Sequence, residues 1–129
     1  MTNIIDVEIS ESILNSIKKL IGLDKDYKQF DVDVVININS SLARLCTLGV
    51  GPDDGFRVNG HSQTWSEFLG ESKLFENAKL YVYLKAKLVF DPPQSSAVIQ
   101  SYKEEIKELE WIIESTASVQ AKESVDERS

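Results

Sequence analysis

The chain has 129 residues, 42% of them hydrophobic, with 14 basic and 21 acidic side chains and a formal net charge of -7. That length supports one hydrophobic core and falls short of two conventional domains, while the acidic balance repels nucleic-acid phosphates, so sequence-specific DNA binding by counterion release is not expected. The single cysteine, Cys46, excludes an internal disulfide and any multi-cysteine zinc site, and the single histidine, His61, removes most histidine-based metal and triad chemistry. An intracellular, reducing origin fits this usage.

Residues 1–10, MTNIIDVEIS, mix Asp6 and Glu8 into the start without a basic segment or a long apolar run, so no signal peptide is expected. A first helix is predicted over about Ser10 to Ile21, where Ile13, Leu14, Ile17, Leu20 and Ile21 follow 3-and-4 spacing and Gly22 stands at a left-handed C-cap position. After a polar linker, Asp31 is placed to cap a second helix running to about Leu48. Its wheel groups Val34, Val35, Ile38, Leu42, Leu45 and Cys46 on one face, with Asp33, Asn37, Ser40 and Arg44 opposite. The β-branched run Val34-Val35-Ile36 also suits a strand, but the long 3.6-residue period followed by Gly49 favours helix.

Residues 49–70 break this pattern, holding five of the six glycines and an Asn59-Gly60 pair of the type I′ kind. A short β-hairpin is expected here, with strands at Phe56 to Val58 and about Gln63 to Trp65, followed by a one-turn helix opened by Ser66 and ended by Gly70. An excursion of this length between helices is a candidate contact loop.

The next helix is predicted over about Lys73 to Phe90. Leu74, Phe75, Ala78, Tyr81, Val82, Ala86, Leu88 and Val89 form its wide apolar arc, and Leu80 and Leu84 lie on the far side, so it should be central and touch neighbours on several sides. Lys85 and Lys87 interrupt its apolar run, which falls short of the roughly 20 residues a membrane span needs. Asp91-Pro92-Pro93 ends it, because neither proline supplies an amide hydrogen and each restricts the residue before it.

Ser95 or Ser96 caps a last helix to about Glu114, whose seam Ile99, Tyr102, Ile106, Leu109 and Ile113 repeats at 3, 4, 3, 4. Trp111 lies about 160° from that seam at 100° per residue and should point away from the chain's own core. Residues 115–129, STASVQAKESVDERS, are polar and aperiodic and are expected to be a flexible tail, leaving residues 1–114 as the helical domain. The fold class expected is mainly α: a small bundle of about four main helices with a β-hairpin excursion and a flexible C-terminal arm.

Catalytic and metal readings find little support. Asp24, Asp26, Asp31 and Asp33 resemble a calcium loop only until Lys28 and Gln29, which stand where an EF-hand requires an oxygen ligand and a glycine. Glu104 with Glu105, and Glu108 with Glu110, read as solvated charge on an exposed helix face. His61 reads as a loop histidine without a Ser, Asp or Cys partner at a recognisable spacing, and Cys46 as a small core residue. No nucleophile, base and orienting group can be nominated together, so no enzyme, cofactor or metal is expected.

Trp111 is the exception, since a tryptophan on the outer face of a charged helix is costly to leave in water and aromatics concentrate at interface hot spots. It either folds back on Phe90 or the tail, or contacts another subunit; the second is the favoured reading. Candidate interface residues are therefore Trp111, the corner Asp91, Pro92 and Pro93, and Trp65 and Phe68 of the excursion, with Ser115, Val119, Val125 and Arg128 in the arm.

The order SIKKLIGLDKDY, then a helix ending LGVGP, then TWSEFLG, then YVYLKAKLVFDPP, then IKELEW spans about Ile13 to Ile113 and resembles the small head-tail connector (adaptor, or head-completion) proteins of tailed bacteriophages that infect Gram-positive bacteria. The resemblance implies a structural virion protein of the head-tail interface, assembled in the host cytoplasm into a ring, typically dodecameric. Its implied partners are further copies of itself, the portal protein and a tail-completion or stopper protein, with double-stranded DNA passing through unread and no membrane or enzymatic activity. Where the family often continues with arginine after Leu-Glu-Trp, Ile112 and Ile113 follow here, so any contact of that arginine does not carry over. The competing reading is an acidic helical module, inhibitor or antitoxin-like, that binds a basic partner.

Overall fold

A computed structural model describes the backbone of residues 8–70 and 73–128 and side chains as far as Ala121. Five helices follow in order: α1 (Ile13–Leu20), α2 (Asp31–Thr47), α3 (Trp65–Leu69), α4 (Phe75–Phe90) and α5 (Ser96–Arg128). The architecture is mainly helical. No strand forms among the described residues; pairing is limited to one antiparallel bridge between Ser12 and Thr64.

α1 begins where the Ser12 hydroxyl accepts a hydrogen bond from the Asn15 amide at 3.2 Å. It ends where Gly22, at φ 86°, takes the left-handed conformation that a side chain would resist. α2 buries Val34, Ile38, Leu42 and Leu45 completely along one stripe, each such side chain contributing about 2 kcal/mol of transfer free energy. α4 packs against α1, α2 and α5, and α1 also packs on α2. Its central position follows from its composition: Ala78, Tyr81, Val82, Leu84 and Ala86 are all buried, on more than one side of the helix.

The expected hairpin is absent for a specific reason. Val58, the end of its first strand, hydrogen-bonds not to a partner strand but to the Asn39 side chain on α2. The Val58 amide donates to Asn39 Oδ1 at 2.7 Å, and Asn39 Nδ2 donates to the Val58 carbonyl at 2.9 Å. The second expected strand pairs elsewhere: the Ile13 amide donates to the Gln63 carbonyl at 2.9 Å and the Trp65 amide to the Glu11 carbonyl at 3.3 Å. Gly60 has no positive φ, so the Asn59-Gly60 pair does not make a type I′ turn. α3 starts earlier than expected because Thr64, not Ser66, opens it through a reciprocal capping box with Glu67.

Part of the excursion lines the core, while Asp53, Asp54, Gly55 and Arg57 stay exposed. Trp65 is fully buried and Phe68 nearly so. Trp65 donates from Nε1 to Ser16 Oγ at 2.8 Å and meets Phe75 edge-on at 6.1 Å, while Phe68 packs against Phe56 at 5.3 Å with the rings tilted by 54°. These two aromatic residues therefore hold the subunit together and are not available to a partner. At Gly51, φ is 90° and a Cβ would overlap the Phe68 ring, so the loop closes over the core only with glycine there.

Asp31 is not a cap. Phe30 occupies the N-cap of α2 without a side-chain bond, and Asp31, the first helical residue, turns instead to Lys18 of α1 and to His61. The Lys18 ammonium is fully buried and donates to the carbonyls of Lys25 at 3.1 Å and Tyr27 at 2.6 Å, with the Asp31 carboxylate at 2.7 Å. His61 Nε2 lies 3.1 Å from Asp31 Oδ2, and its Nδ1 pairs with Asn15. The loop histidine thus has partners, supplied by α1 and α2 and far away in sequence. Burial raises the Asp31 pKa, but hydrogen bonds from Lys18 and His61 outweigh it and hold the carboxyl below its usual range.

The last helix also departs from expectation. It continues past Glu114 to Arg128, because residues 115–128 contain no glycine or proline and propagating a nucleated helix needs no new nucleus. Ala117 packs on the core, and its Cβ lies 3.1 Å from where a Cβ on Gly49 would stand.

Replacing Lys18 by Met should cost about 3 kcal/mol in urea unfolding, since two carbonyls and a carboxylate lose their cation while the side-chain volume is kept. Gly51→Ala should cost about 2 kcal/mol or more through left-handed strain and the overlap with Phe68, and a smaller loss would show that the loop can move off the ring.

Candidate functional site

The outer face of α5 is positioned by the two ends of its packed segment. At its start, the α4 helix stops at Phe90 and Asp91 turns out at φ -152° and ψ 60°. Lys87 reaches back to it, Nζ to Oδ2 at 2.9 Å, and that bond raises the lysine pKa. Pro92 and Pro93 carry the chain to Ser95, whose hydroxyl accepts from the Val98 amide at 3.4 Å at the start of α5. Asp91 and Pro92 are exposed and Pro93 half-buried, so the corner is accessible to a partner.

Along α5 the seam deepens toward the C-terminus: Ile99, Tyr102 and Ile106 are half-buried, while Leu109 and Ile113 are buried. Beside the seam, Glu110 is clasped by two other helices. Tyr81 of α4 donates its hydroxyl to Glu110 Oε2 at 2.6 Å, and Arg44 of α2 donates from Nε at 3.3 Å and from Nη2 to Oε1 at 3.5 Å. Burial alone would raise the Glu110 pKa; the Tyr81 hydroxyl and the Arg44 guanidinium overcome it and lower it. Burial and the neighbouring carboxylate together push the Tyr81 phenol up, and the carboxylate likewise raises Arg44. Glu110 is thus a structural tie, not the solvated charge that the helix pattern suggested.

This clasp fixes the rotation of α5 about its axis. With Leu109 and Ile113 facing inward and Glu110 held sideways, Trp111 can only face out, and it is 71% exposed. It does not fold back against Phe90. Lys107, Glu108 and Glu114 surround it on the same exposed face. In the arm, Ser115 is half-buried and Val119 is 53% exposed, while Val125 and Arg128 lie outside the residues whose side chains are described.

A second unpartnered surface was not anticipated. Val32 and Ile36 of α2 are 72% and 63% exposed, on the side of the helix away from its buried stripe. They are the apolar residues left over when Val34, Ile38, Leu42 and Leu45 are assigned to the core, and that remainder was the available signal. Cys46 is half-buried, and burial raises its thiol pKa. Among the described residues no three His, Cys, Asp or Glu side chains converge to hold a metal ion, and no helix is long and apolar enough to cross a membrane. What these surfaces offer is contact, through an aromatic knob, an apolar helix face and a rigid corner.

The clasp gives a titration test. A carboxyl whose folded pKa is depressed contributes stability above its unfolded pKa and loses it as pH falls through the folded value, so the Glu110 contribution should fade below the ordinary 4.5. Tyr81→Phe should raise the Glu110 pKa and cost about 1 kcal/mol at neutral pH. Carboxyl NMR titration checks the shift, and an unchanged pKa would mean that the phenol does not support the carboxylate.

Comparison with curated proteins and with solved structures returned no match. A family model described as phage connector protein matches residues 13–120. The matched span starts at the first residue of α1, takes in the excursion, the Asp91-Pro92-Pro93 corner and the clasp, and ends just beyond Ala117 and Val119. With most of its length matched in this way, the chain belongs to the phage connector protein family.

Proposed function

We propose that this structural phage protein assembles into a ring at the head-tail interface, joining the portal to the tail-completion or stopper protein and surrounding the DNA channel. The observation that carries the reading is the family match over residues 13–120, coupled with a Trp111 side chain that the fold holds out in solvent. Three physical features support it. A net charge of -7 repels passing DNA and lets it slide, as suits a conduit. A large aromatic residue on a rigid helix face has the character of an intersubunit anchor. The α5 extension carrying Ser115 and Val119 provides an arm of the kind used in docking, as a helix and not as the flexible strand of chain expected from its polarity. In this reading Asp91, Pro92 and Pro93 meet the neighbouring subunit or the portal, and the protein is built into the virion in the host cytoplasm. A dodecamer is the ring size that the family suggests.

Mixing the purified protein with the portal protein of the same phage and imaging the product by electron microscopy tests this. A ring of subunits seated on the portal is expected, and free portal beside dispersed subunits would overturn the reading. Trp111→Ala should leave the thermal unfolding midpoint nearly unchanged, because the side chain is exposed, yet reduce ring occupancy about tenfold or more. Normal assembly of that variant would remove Trp111 from the interface without touching the fold.

A further inference from the structure

We propose that the groove on the outer side of α2 is the receptor for Trp111 of a neighbouring copy, so that one contact type repeats head to tail around the ring. This deepens the ring reading and rests on it. The groove, of 1180 Å³, runs between α2 and the loop before α3, and its apolar floor is Val35, Ile36, Ala43, Cys46 and Phe56. Ile36 is 63% exposed, and Val32 beside it is 72% exposed, so this wall is unpartnered in the subunit. A tryptophan buries 150 to 250 Å² on docking, roughly the scale of surface such a trough can cover.

The groove cannot be filled by the chain's own Trp111. Asn39 lines it and ties α2 to Val58 of the loop, whereas Arg44 ties α2 to Glu110 of α5. These two residues lie about 140° apart around α2 at 100° per residue. The far wall of the groove and α5 therefore flank α2 on different sides, with Ser40 and Thr47 of its near edge within about 60° of Arg44, and Trp111, 71% exposed, faces away from the seam that packs α5 onto the bundle. A knob and a socket on different sides of one subunit make a heterologous contact, which closes into a ring when the rotation between copies permits.

Charge favours the second copy over an unrelated occupant. On α5, Lys107, Trp111 and Glu114 share one exposed face and present positive, aromatic and negative groups over about 10 Å. The groove presents the opposite order along its loop, with Asp53 and Asp54 before Phe56 and Arg57 after it. Trp111 seated over Phe56 brings Lys107 to the two aspartates and Glu114 to Arg57. Trp111 against Trp111 in an antiparallel two-fold dimer would set Lys107 beside Glu114 of the other copy but leave the apolar groove uncovered. The match is local, as it must be between copies that each carry -7.

Cys46, the only cysteine, lies in the groove floor and supplies the test. Glu108→Cys adds a thiol one turn from Trp111 without removing any group used above. Rings on the portal, treated with a short bismaleimide and run on a denaturing gel, should give a ladder of linked subunits only when both Cys46 and the new cysteine are present. Ile36→Glu should reduce the linked fraction about tenfold while the far-UV circular dichroism of the subunit stays unchanged. Assembled rings that yield no ladder would overturn the pairing and leave the ring reading standing. Linkage that persists in the Glu108→Cys, Cys46→Ser double variant would also overturn it, in favour of Trp111 meeting Trp111. Subunits that never assemble on the portal would overturn both.

Discussion

Everything in this fold is arranged around the need to surround α4. A helix with Ala78, Tyr81, Val82, Leu84 and Ala86 all buried gives water only a narrow face, that of Glu76 and Leu80, and a bundle of few helices must therefore place its neighbours on several of its sides. α1, α2 and α5 do so. The excursion between α2 and α4 fills part of the remaining core with Val50, Val58, Trp65 and Phe68. The Asp91-Pro92-Pro93 corner is the corresponding device at the other end, stopping α4 and sending α5 back along it. Connecting segments in such a small domain double as core, which is why this one is long and yet sends Val50, Val58, Trp65 and Phe68 inward.

Burial of this kind is non-directional, and two polar ties supply the direction. Lys18, fully buried, draws the α1-α2 linker and the start of α2 to α1 through two carbonyls and Asp31. Glu110 does the equivalent for α5, taking one bond from α4 through Tyr81 and others from α2 through Arg44. Apolar seams alone permit a helix to slide or roll by part of a turn, because one aliphatic contact substitutes for another. A carboxylate with three donors at fixed places does not. The exposed Trp111 is a direct result, for its neighbour Glu110 determines which way it faces.

Periodicity in the sequence identified α1, α2, α4 and the α5 seam, since each rests on repeating apolar spacing that local geometry converts directly into a buried face. What stayed hidden depends on partners distant in sequence. Asn39 and Val58 are 19 residues apart, and their pairing, which replaces a hairpin ladder, leaves no mark on either segment. Asp31 looked like a cap because caps are local, whereas its real partners Lys18 and His61 come from α1 and from beyond α2. Trp65 and Phe68 lie in a glycine-rich segment whose composition reads as surface, and only the capping box at Thr64 and the pairing with residues 11–13 turn them inward. For the candidate site, the outward Trp111 was legible from its angle to the seam. The socket on α2 was not, because Val32 and Ile36 stand beside true core positions and share their chemistry.

The length of α5 gives the clasp a mechanical meaning. Among the residues whose side chains are described, Ala117 is the last of the helix that packs on the core, and the helix runs on to Arg128. That extension is a stiff rod of about 16 Å at 1.5 Å per residue, and the distance from Glu110 to its tip is about 27 Å. A tilt of about 5° at the clasp displaces the tip by about 2 Å, which is enough to make or miss a hydrogen bond. The subunit is in effect a lever whose fulcrum is a single carboxylate, and the accuracy with which its far end is aimed is set by a phenol and a guanidinium.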